Sequence, residues 1–191
     1  MEFHPIFTVK EECNLWAVCY LAYENNAESN DVFNELFNLW NNTEYLQNFF
    51  IEHKNELFTP FWNGMTIDNA VDQVMDEAEN FEDELRAIET KEPGYENKSL
   101  NQVFEHLHDN IYSLNWSNEN HRKARPNLQT PMLRLYAIEL EDGTFVVTGG
   151  AIKLTQKMTG ERFDTELKNL NIVEEYLKKE GIINKEGLTL D

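Results

Sequence analysis

The sequence predicts an α+β protein whose small antiparallel sheet combines an N-terminal hairpin with C-terminal strands, separated by a helical region and followed by a terminal helix. Three observations indicate this class. Two β-type runs open the chain, apolar residues recur at helical spacing through its middle, and two β-type runs joined by a turn precede a last helical pattern. We expect a single domain over 1–191, with an acidic hairpin-plus-helical region, 1–120, before the strands and helix of 121–191.

The hairpin is predicted over residues 3–9 and 15–22, because both runs are rich in β-branched and aromatic residues and a polar segment separates them. The chain has two cysteines, Cys13 and Cys19. No further ligand-type residues stand at a zinc-like spacing from them, so we interpret both as reduced thiols and predict no metal.

Two short amphipathic helices are predicted after the hairpin. The first covers 31–40 and is capped by Asn30 or Asp31, whose side chains can accept from the free N–H groups of a first turn. The second begins with Thr43 as its cap and ends near Leu57.

The longest helix is predicted from Ile67 to Glu89, ended by Pro93-Gly94. Its apolar residues step by four and three alternately, which makes one continuous stripe. The opposite face is predicted to carry the acids Asp72, Asp76, Glu77, Glu79, Glu82, Asp83 and Glu84. We interpret that face as solvated, with a surface for a basic partner as the alternative.

A shorter helix is predicted over Ser99–His108, where Ser99 is a cap and four apolar residues share a face. His106 and His108 would converge on a metal only from a strand, and on this helix they diverge. Residues 109–130 are predicted to be a strand or irregular segment followed by a basic, polar loop.

Two C-terminal strands are predicted over Met132–Leu140 and Thr144–Leu154, joined by the hairpin turn Glu141-Asp142-Gly143. Gly149-Gly150 lacks the rest of a phosphate-loop fingerprint, so it indicates a bulge or a close approach of backbone. The final helix is predicted over Gly160–Lys179.

Charge is distributed unevenly along the chain. Residues 1–120 hold 5 Lys and Arg against 24 Asp and Glu, which gives the whole net charge of −19, whereas 121–191 hold 11 of each. An acidic chain repels nucleic acid at long range, so polyanion binding has to depend on a local basic patch. The absence of an apolar leader-like start and of an 18-residue apolar run predicts a cytoplasmic protein that does not enter the membrane.

The candidate functional residues are the cations Arg134, Lys153, Lys157 and Arg162. They fall on neighbouring predicted strands, at a strand end and at a helix start, where they can converge on a phosphodiester. The alternative is that each neutralises a nearby carboxylate. The run His121–Arg125 is a further basic segment. No hydrolase or metalloprotease motif is present, and no cofactor is predicted.

Residues of about 100–180 resemble the RelE/ParE-like toxin superfamily, in particular its HigB-like branch. The stretches concerned are VFEHLHDNIYSL, MLRLYAIELEDGTFVVTGGAIKLTQKM and DTELKNLNIVEEYLKKEG. The resemblance implies that Arg134 is the strand arginine and that Lys153 and Lys157 form the basic segment at the end of the last strand. It also implies that the N-terminal hairpin and helices supply the first strand and helical pair, with 67–92 as an addition.

Two functions follow from these observations. The first is a toxin-type protein of a bacterial toxin–antitoxin or phage-borne module, which the resemblance implies acts as an endoribonuclease on RNA or at the ribosome and has an antitoxin-like partner. The second is a non-catalytic acidic interaction protein, an inhibitor that mimics nucleic acid and binds a basic protein.

Overall fold

A computed structural model describes residues 1–8, 12–20, 31–107, 119–155 and 161–189. The strands are β1 (Glu2–Pro5), β2 (Leu15–Cys19), β3 (Glu105–His106), β4 (His121–Ala124), β5 (Leu133–Glu139) and β6 (Phe145–Ile152). The α-helices are α1 (Val32–Trp40), α2 (Thr43–Glu52), α3 (Lys54–Leu57), α4 (Ile67–Glu89), α5 (Glu161–Glu180) and α6 (Lys185–Leu188).

In the described ranges the strands form one six-stranded sheet in the order β1-β2-β6-β5-β4-β3, which confirms the α+β class. Neighbouring strands are antiparallel, except that β2 runs parallel to β6 in the middle of the sheet. The sheet is therefore mixed. Because β2 belongs to the acidic region and β6 to the C-terminal region, the two regions of the chain share one sheet.

Both faces of the sheet are covered by helices. On one face α1, α2 and α4 bury a large cluster that includes Leu135 of β5 and Phe145 of β6. On the other face α5 and α6 pack on a second cluster that includes Trp16 of β2 and Tyr136 of β5. Successive strand residues point to opposite faces, so adjacent positions in one strand belong to different clusters.

The predicted long helix is confirmed with its bounds, Ile67–Glu89, and the Thr66 side chain caps it by accepting from Asn69 N. The resemblance implies that residues 67–92 are an addition to the fold. The apolar stripe of α4 lies instead in the main core. Glu89 also joins the helix to the sheet, since its carboxylate accepts from Asn14 N. None of the described helices is both long enough and apolar enough to cross a membrane.

The prediction that Glu77 belongs to the solvated acidic face of α4 is wrong. Glu77 is fully buried and accepts hydrogen bonds from the backbone N–H groups of Met132, at 2.8 Å, and Leu133, at 2.9 Å. Met132 immediately precedes β5 and Leu133 is its first residue, so the carboxylate connects α4 to the sheet. The periodicity could not reveal this role, because Glu77 borders the apolar stripe and its partners are 55 residues away.

The helices α1 to α3 agree with the predicted pattern, with two differences in detail. Asp31 caps α1, as one of the two alternatives predicted, by accepting from Asn34 N. Asn42 rather than Thr43 caps α2 by accepting from Tyr45 N, and the predicted second helix is interrupted at His53, where α2 ends and α3 begins.

The helix predicted over Ser99–His108 is wrong. Ser99 does form a capping box with Gln102, but only one 3-10 turn follows, at Leu100–Gln102. The chain then extends into β3, whose Glu105 and His106 pair with β4. Pairing with the sheet prevails over the weak helical periodicity of this segment. His106 is exposed on β3, and His108 lies outside the described residues.

The β5–β6 hairpin and the terminal helix are confirmed near their predicted bounds. A β-bulge interrupts the pairing beside Thr148, since Tyr136 pairs with Gly149 but the next residue pairs with Val147. The prediction for Gly149-Gly150 is therefore confirmed. A Cβ at Gly150 would lie 2.8 Å from the carbonyl oxygen of Arg134, so the backbones approach closely there.

Candidate anion-binding site

The basic run His121–Arg125, predicted to be part of a loop, begins with strand β4. A strand alternates its side chains, so Lys123 and Arg125 share a face with His121, while Arg122 points to the other face. Arg122 forms a salt bridge with Glu139. His121 is buried with its Nε2 3.3 Å from Oε2 of Glu174 on α5. Lys123 of β4 and Arg125, the first residue after this strand, are thus the two cations that the run adds to the α5 side of the sheet.

Arg134 and Lys153, both predicted as site residues, lie close together on that same side. Arg134 pairs with Ala151, two residues before Lys153, and Lys153 N donates to Met132 O at 2.7 Å. Burial, followed by the positive charges of Arg134, Lys123 and Arg125, lowers the pKa of Lys153 to about 8. We refer to these four residues, contributed by three adjacent strand segments, as the cation cluster.

The cation cluster has little compensating negative charge. Within the part of the chain that the structure describes, no ion pair joins any of its four residues to a carboxylate. Arg134 is buried and its Nη1 donates to the carbonyl of Pro131 at 3.0 Å. Burial lowers the pKa of Lys123 and the charge of Glu105 opposes this effect. Arg125 borders a cavity of about 230 Å³ that Glu84 and Glu105 also line.

The other two predicted site residues cannot be assigned to the cluster. Lys157 lies outside the described residues. Arg162 is the second residue of α5, and its side chain is outside the described part of the structure. The structure therefore brings together Arg134 and Lys153 and joins Lys123 and Arg125 to them.

Glu166 of α5 is a residue of this face that sequence reasoning missed. It is 9% exposed, and its Oε2 has no hydrogen-bond partner among the described residues. Burial raises the pKa of this carboxyl to about 8. Gly149 leaves room for it, since a Cβ there would lie 1.9 Å from Oε2. The glycine of the bulge is therefore a signal that a side chain from another element approaches the strand.

Two tyrosines near Glu166, Tyr20 and Tyr136, also belong to this face of the sheet. Tyr20 donates from its hydroxyl to Thr148 O at 2.7 Å. Burial, followed by the charge of Glu166, raises the pKa of both Tyr20 and Tyr136. Tyr136 lies two residues after Arg134 on the same face of β5, and each affects the pKa of the other. The α5 side of the sheet thus presents a carboxyl that stays protonated near neutral pH, two phenols and four cations.

Comparisons of the chain with protein families, with curated proteins and with solved structures found no match. The resemblance to RelE/ParE-like toxins therefore stays a prediction, and function has to be argued from the residues of the site.

Proposed function

We propose that the cation cluster binds a phosphate group of RNA. The observation that carries the proposal is that Lys123, Arg125, Arg134 and Lys153 lie together without an ion-pair partner among the described residues. Bringing like charges together in a partly buried place is unfavourable, and an anion bound there removes that cost. Arginine and lysine are the side chains that hold phosphate oxygens, arginine with two parallel hydrogen bonds and lysine as a point charge.

The chemistry we propose is cleavage of the RNA backbone by its own 2′-hydroxyl. Lys153, with its pKa near 8, takes the proton of the 2′-hydroxyl. The 2′-oxygen then bonds to phosphorus, the bond from phosphorus to the 5′-oxygen breaks, and the leaving oxygen takes a proton. Solvent water supplies this proton, because the Oε2 atom of the protonated Glu166 carboxyl is buried away from the surface. Arg134 and Lys123 stabilise the negative charge of the pentacovalent transition state.

The biological role we propose is that of a RelE/ParE-like toxin of a bacterial or phage-borne module, acting in the cytoplasm and held by an antitoxin-like protein. The order of elements supports this proposal. The β1–β2 hairpin is followed by the short helices α1 to α3, then by the strands β3 to β6 and the helix α5, which is the order that the resemblance implies. The long helix α4 stands between the short helices and the later strands.

The test compares the protein with a Lys153→Met variant and with Lys168→Met as the control. Lys168 is an exposed residue of α5, so both variants lose one positive charge, but only Lys153 belongs to the cluster. Each protein is induced in a bacterium, and each is purified and incubated with mRNA bound to ribosomes. We expect growth arrest and RNA cleavage from the parent protein and from Lys168→Met, and neither from Lys153→Met. Equal behaviour of all three would overturn the proposed reaction.

A second function is favoured by the exposed side of α4. Five carboxylates lie there at steps of four or three residues, and all are exposed: Asp68, Asp72, Asp76, Glu79 and Asp83. With a rise of about 1.5 Å per residue, they form a row of single charges spaced about 5–6 Å apart. Such a row suits a non-catalytic inhibitor that mimics nucleic acid toward a basic protein.

This second function predicts a different dependence on charge. The parent protein would retain a basic protein in a pull-down at low salt and release it as ionic strength rises. A variant with the five carboxylates changed to amides would lose this retention, whereas Lys153→Met would keep it. If removal of the five charges leaves retention unchanged, the acidic row is not the binding surface.

A further inference from the structure

A cluster of metal-ligand side chains lies at the edge of the sheet formed by β1 and β2. One ligand atom each from Glu2, His4 and Cys19 lies within 4.8 Å of the other two. We propose that these three residues form a binding site for a divalent transition metal ion, with Zn²⁺ as the metal their chemistry fits. The site is separate from the cation cluster and does not depend on the proposed function.

The register of the hairpin brings the three side chains together. β1 and β2 are antiparallel, with Glu2 opposite Cys19 and His4 opposite Ala17. Residues two apart in a strand, and residues directly opposite in a pair, share a face of the sheet. Glu2, His4 and Cys19 therefore point to one side, which is the side that α1 covers. The spacing of fifteen residues from His4 to Cys19 conceals this arrangement in the sequence.

The ring of His4 lies between two carboxylates, one near each of its nitrogens. Its Nε2 lies 3.8 Å from Oε2 of Glu2, and its Nδ1 lies 3.8 Å from Oδ2 of Asp31. Asp31 is itself held in place, because its carboxylate accepts from the backbone and side-chain nitrogens of Asn34 at 2.9 and 2.7 Å. A carboxylate beside the nitrogen that does not bind the metal fixes the tautomer and the orientation of the ring.

The set of donor atoms selects the class of metal. A thiolate, an imidazole and a carboxylate together suit zinc, whereas magnesium and calcium require oxygen ligands throughout. Three protein ligands leave a fourth tetrahedral position for water. Cys19 is 1% exposed and is a free thiol, so the sulfur is shielded, while Glu2 is exposed and free to move the short distance that coordination requires.

The metal would hold three elements together. Among the strands that the structure describes, β1 lies at the edge of the sheet and pairs with β2 alone, and Asp31 caps the first turn of α1. A metal ion bound by β1 and β2, with Asp31 behind the histidine, would fix the edge strand against both neighbours. Because such a site forms only in the folded chain, metal binding would raise the melting temperature.

The experiment titrates the full-length protein with Co²⁺, whose bonds to thiolate give a charge-transfer absorption band, and then displaces Co²⁺ with Zn²⁺. We expect one Co²⁺ per chain and a thiolate band in the parent protein. Cys19→Ser should abolish the band, and His4→Ala should weaken binding by roughly a hundredfold or more. Cys13→Ser is the matched control and should keep the band, since Cys13 is also buried but its thiol donates to Leu15 O at 2.8 Å.

Asp31→Asn tests the orienting role of Asp31. Asparagine also caps helices, so α1 should be retained while Co²⁺ affinity falls by roughly tenfold or more. Melting temperature provides a second readout that does not depend on colour. It should rise with Zn²⁺ in the parent protein and in Cys13→Ser, but not in His4→Ala. A parent protein that binds no stoichiometric Co²⁺, or a Cys19→Ser variant that keeps the thiolate band, would overturn the proposal.

Discussion

The two faces of the sheet each bury a glutamate, and they treat it in opposite ways. Glu77, on the α4 side, accepts hydrogen bonds from Gln73 Nε2 and from the backbone N–H groups of Met132 and Leu133. Glu166, on the α5 side, has its Oε2 buried against Gly149 without a hydrogen-bond partner among the described residues. The carboxylate of Glu77 is therefore satisfied by hydrogen bonds within the fold, whereas Oε2 of Glu166 is not.

The same contrast holds for the charges around them. The α4 side is lined mainly by aliphatic and aromatic residues, and its buried acid completes the hydrogen bonding of β5. The α5 side carries the cation cluster, with no ion pair to neutralise it in the described part of the chain. Buried polar groups that do not serve the fold are the ones to examine for function. The fold uses the buried charge on the α4 side, whereas the charges of the cation cluster on the α5 side have no ion-pair partner among the described residues.

The largest effect on stability should come from removing the carboxylate of Glu77, on the α4 side of the sheet. Glu77→Ala leaves two buried backbone N–H groups without acceptors, at about 1–3 kcal/mol each. We expect a loss of about 3 kcal/mol or more in the free energy of unfolding, measured by urea denaturation. Glu79→Ala, two residues along and exposed, is the control and should change stability by less than about 0.5 kcal/mol.

A smaller effect of opposite sign should come from neutralising the carboxyl on the other face. Folding raises the pKa of Glu166 to about 8, so above pH 4.5 the unfolded chain gives up this proton more readily than the folded one. Stability is therefore lost as pH rises from about 4.5 to 8 and then levels off. Glu166→Gln removes this loss.

We expect the melting temperature of Glu166→Gln to match that of the parent protein near pH 4.5 and to exceed it by a growing margin up to pH 8. The corresponding gain in stability is on the order of 2–4 kcal/mol. Glu175→Gln, an exposed position of α5, should show no such divergence. If the two melting curves of Glu166→Gln and the parent protein stay parallel across this range, Glu166 is ionised in the fold and the contrast between the two glutamates fails.

The smallest of the three effects concerns the glycine that faces Glu166. Gly149→Ala adds a Cβ that would lie 1.9 Å from Oε2 of Glu166, and moving that side chain should cost about 1–2 kcal/mol. Combining the change with Glu166→Ala should restore most of the loss, because the clashing group is gone. Additive losses in the double variant would show that Gly149 is needed for the backbone of the bulge and not for Glu166.

Much of the fold could be predicted from local patterns. The heptad-like stripe defined α4, and the turn at Glu141–Gly143 defined the β5–β6 hairpin. The helix predicted after Ser99 is wrong. The four apolar residues at helical spacing stabilise a helix less than the hydrogen bonds between β3 and β4 stabilise the strand. The parallel pairing of β2 with β6 joins residues more than a hundred positions apart, and no local pattern reveals it.

The candidate site was predictable only in part. Arg134 and Lys153 stand out because cations are few in this chain, and they do lie together. Lys123 and Arg125 stand two residues apart, as side chains on one face of extended backbone do, but a short basic and polar run equally predicts a loop. Glu166 looks in sequence like any polar residue of an amphipathic helix. Its role depends on its position opposite a glycine, which only the packing of α5 on β6 shows.

The most direct test of the account is the titration of Lys153 itself, followed by NMR of its side-chain ε-carbon, without and with inorganic phosphate. We predict a pKa near 8 in the free protein, which rises when phosphate binds and supplies the missing negative charge. A Lys153 that titrates near the ordinary 10.5, or whose pKa is the same with and without phosphate, would contradict the claim that the cation cluster is an anion-binding site.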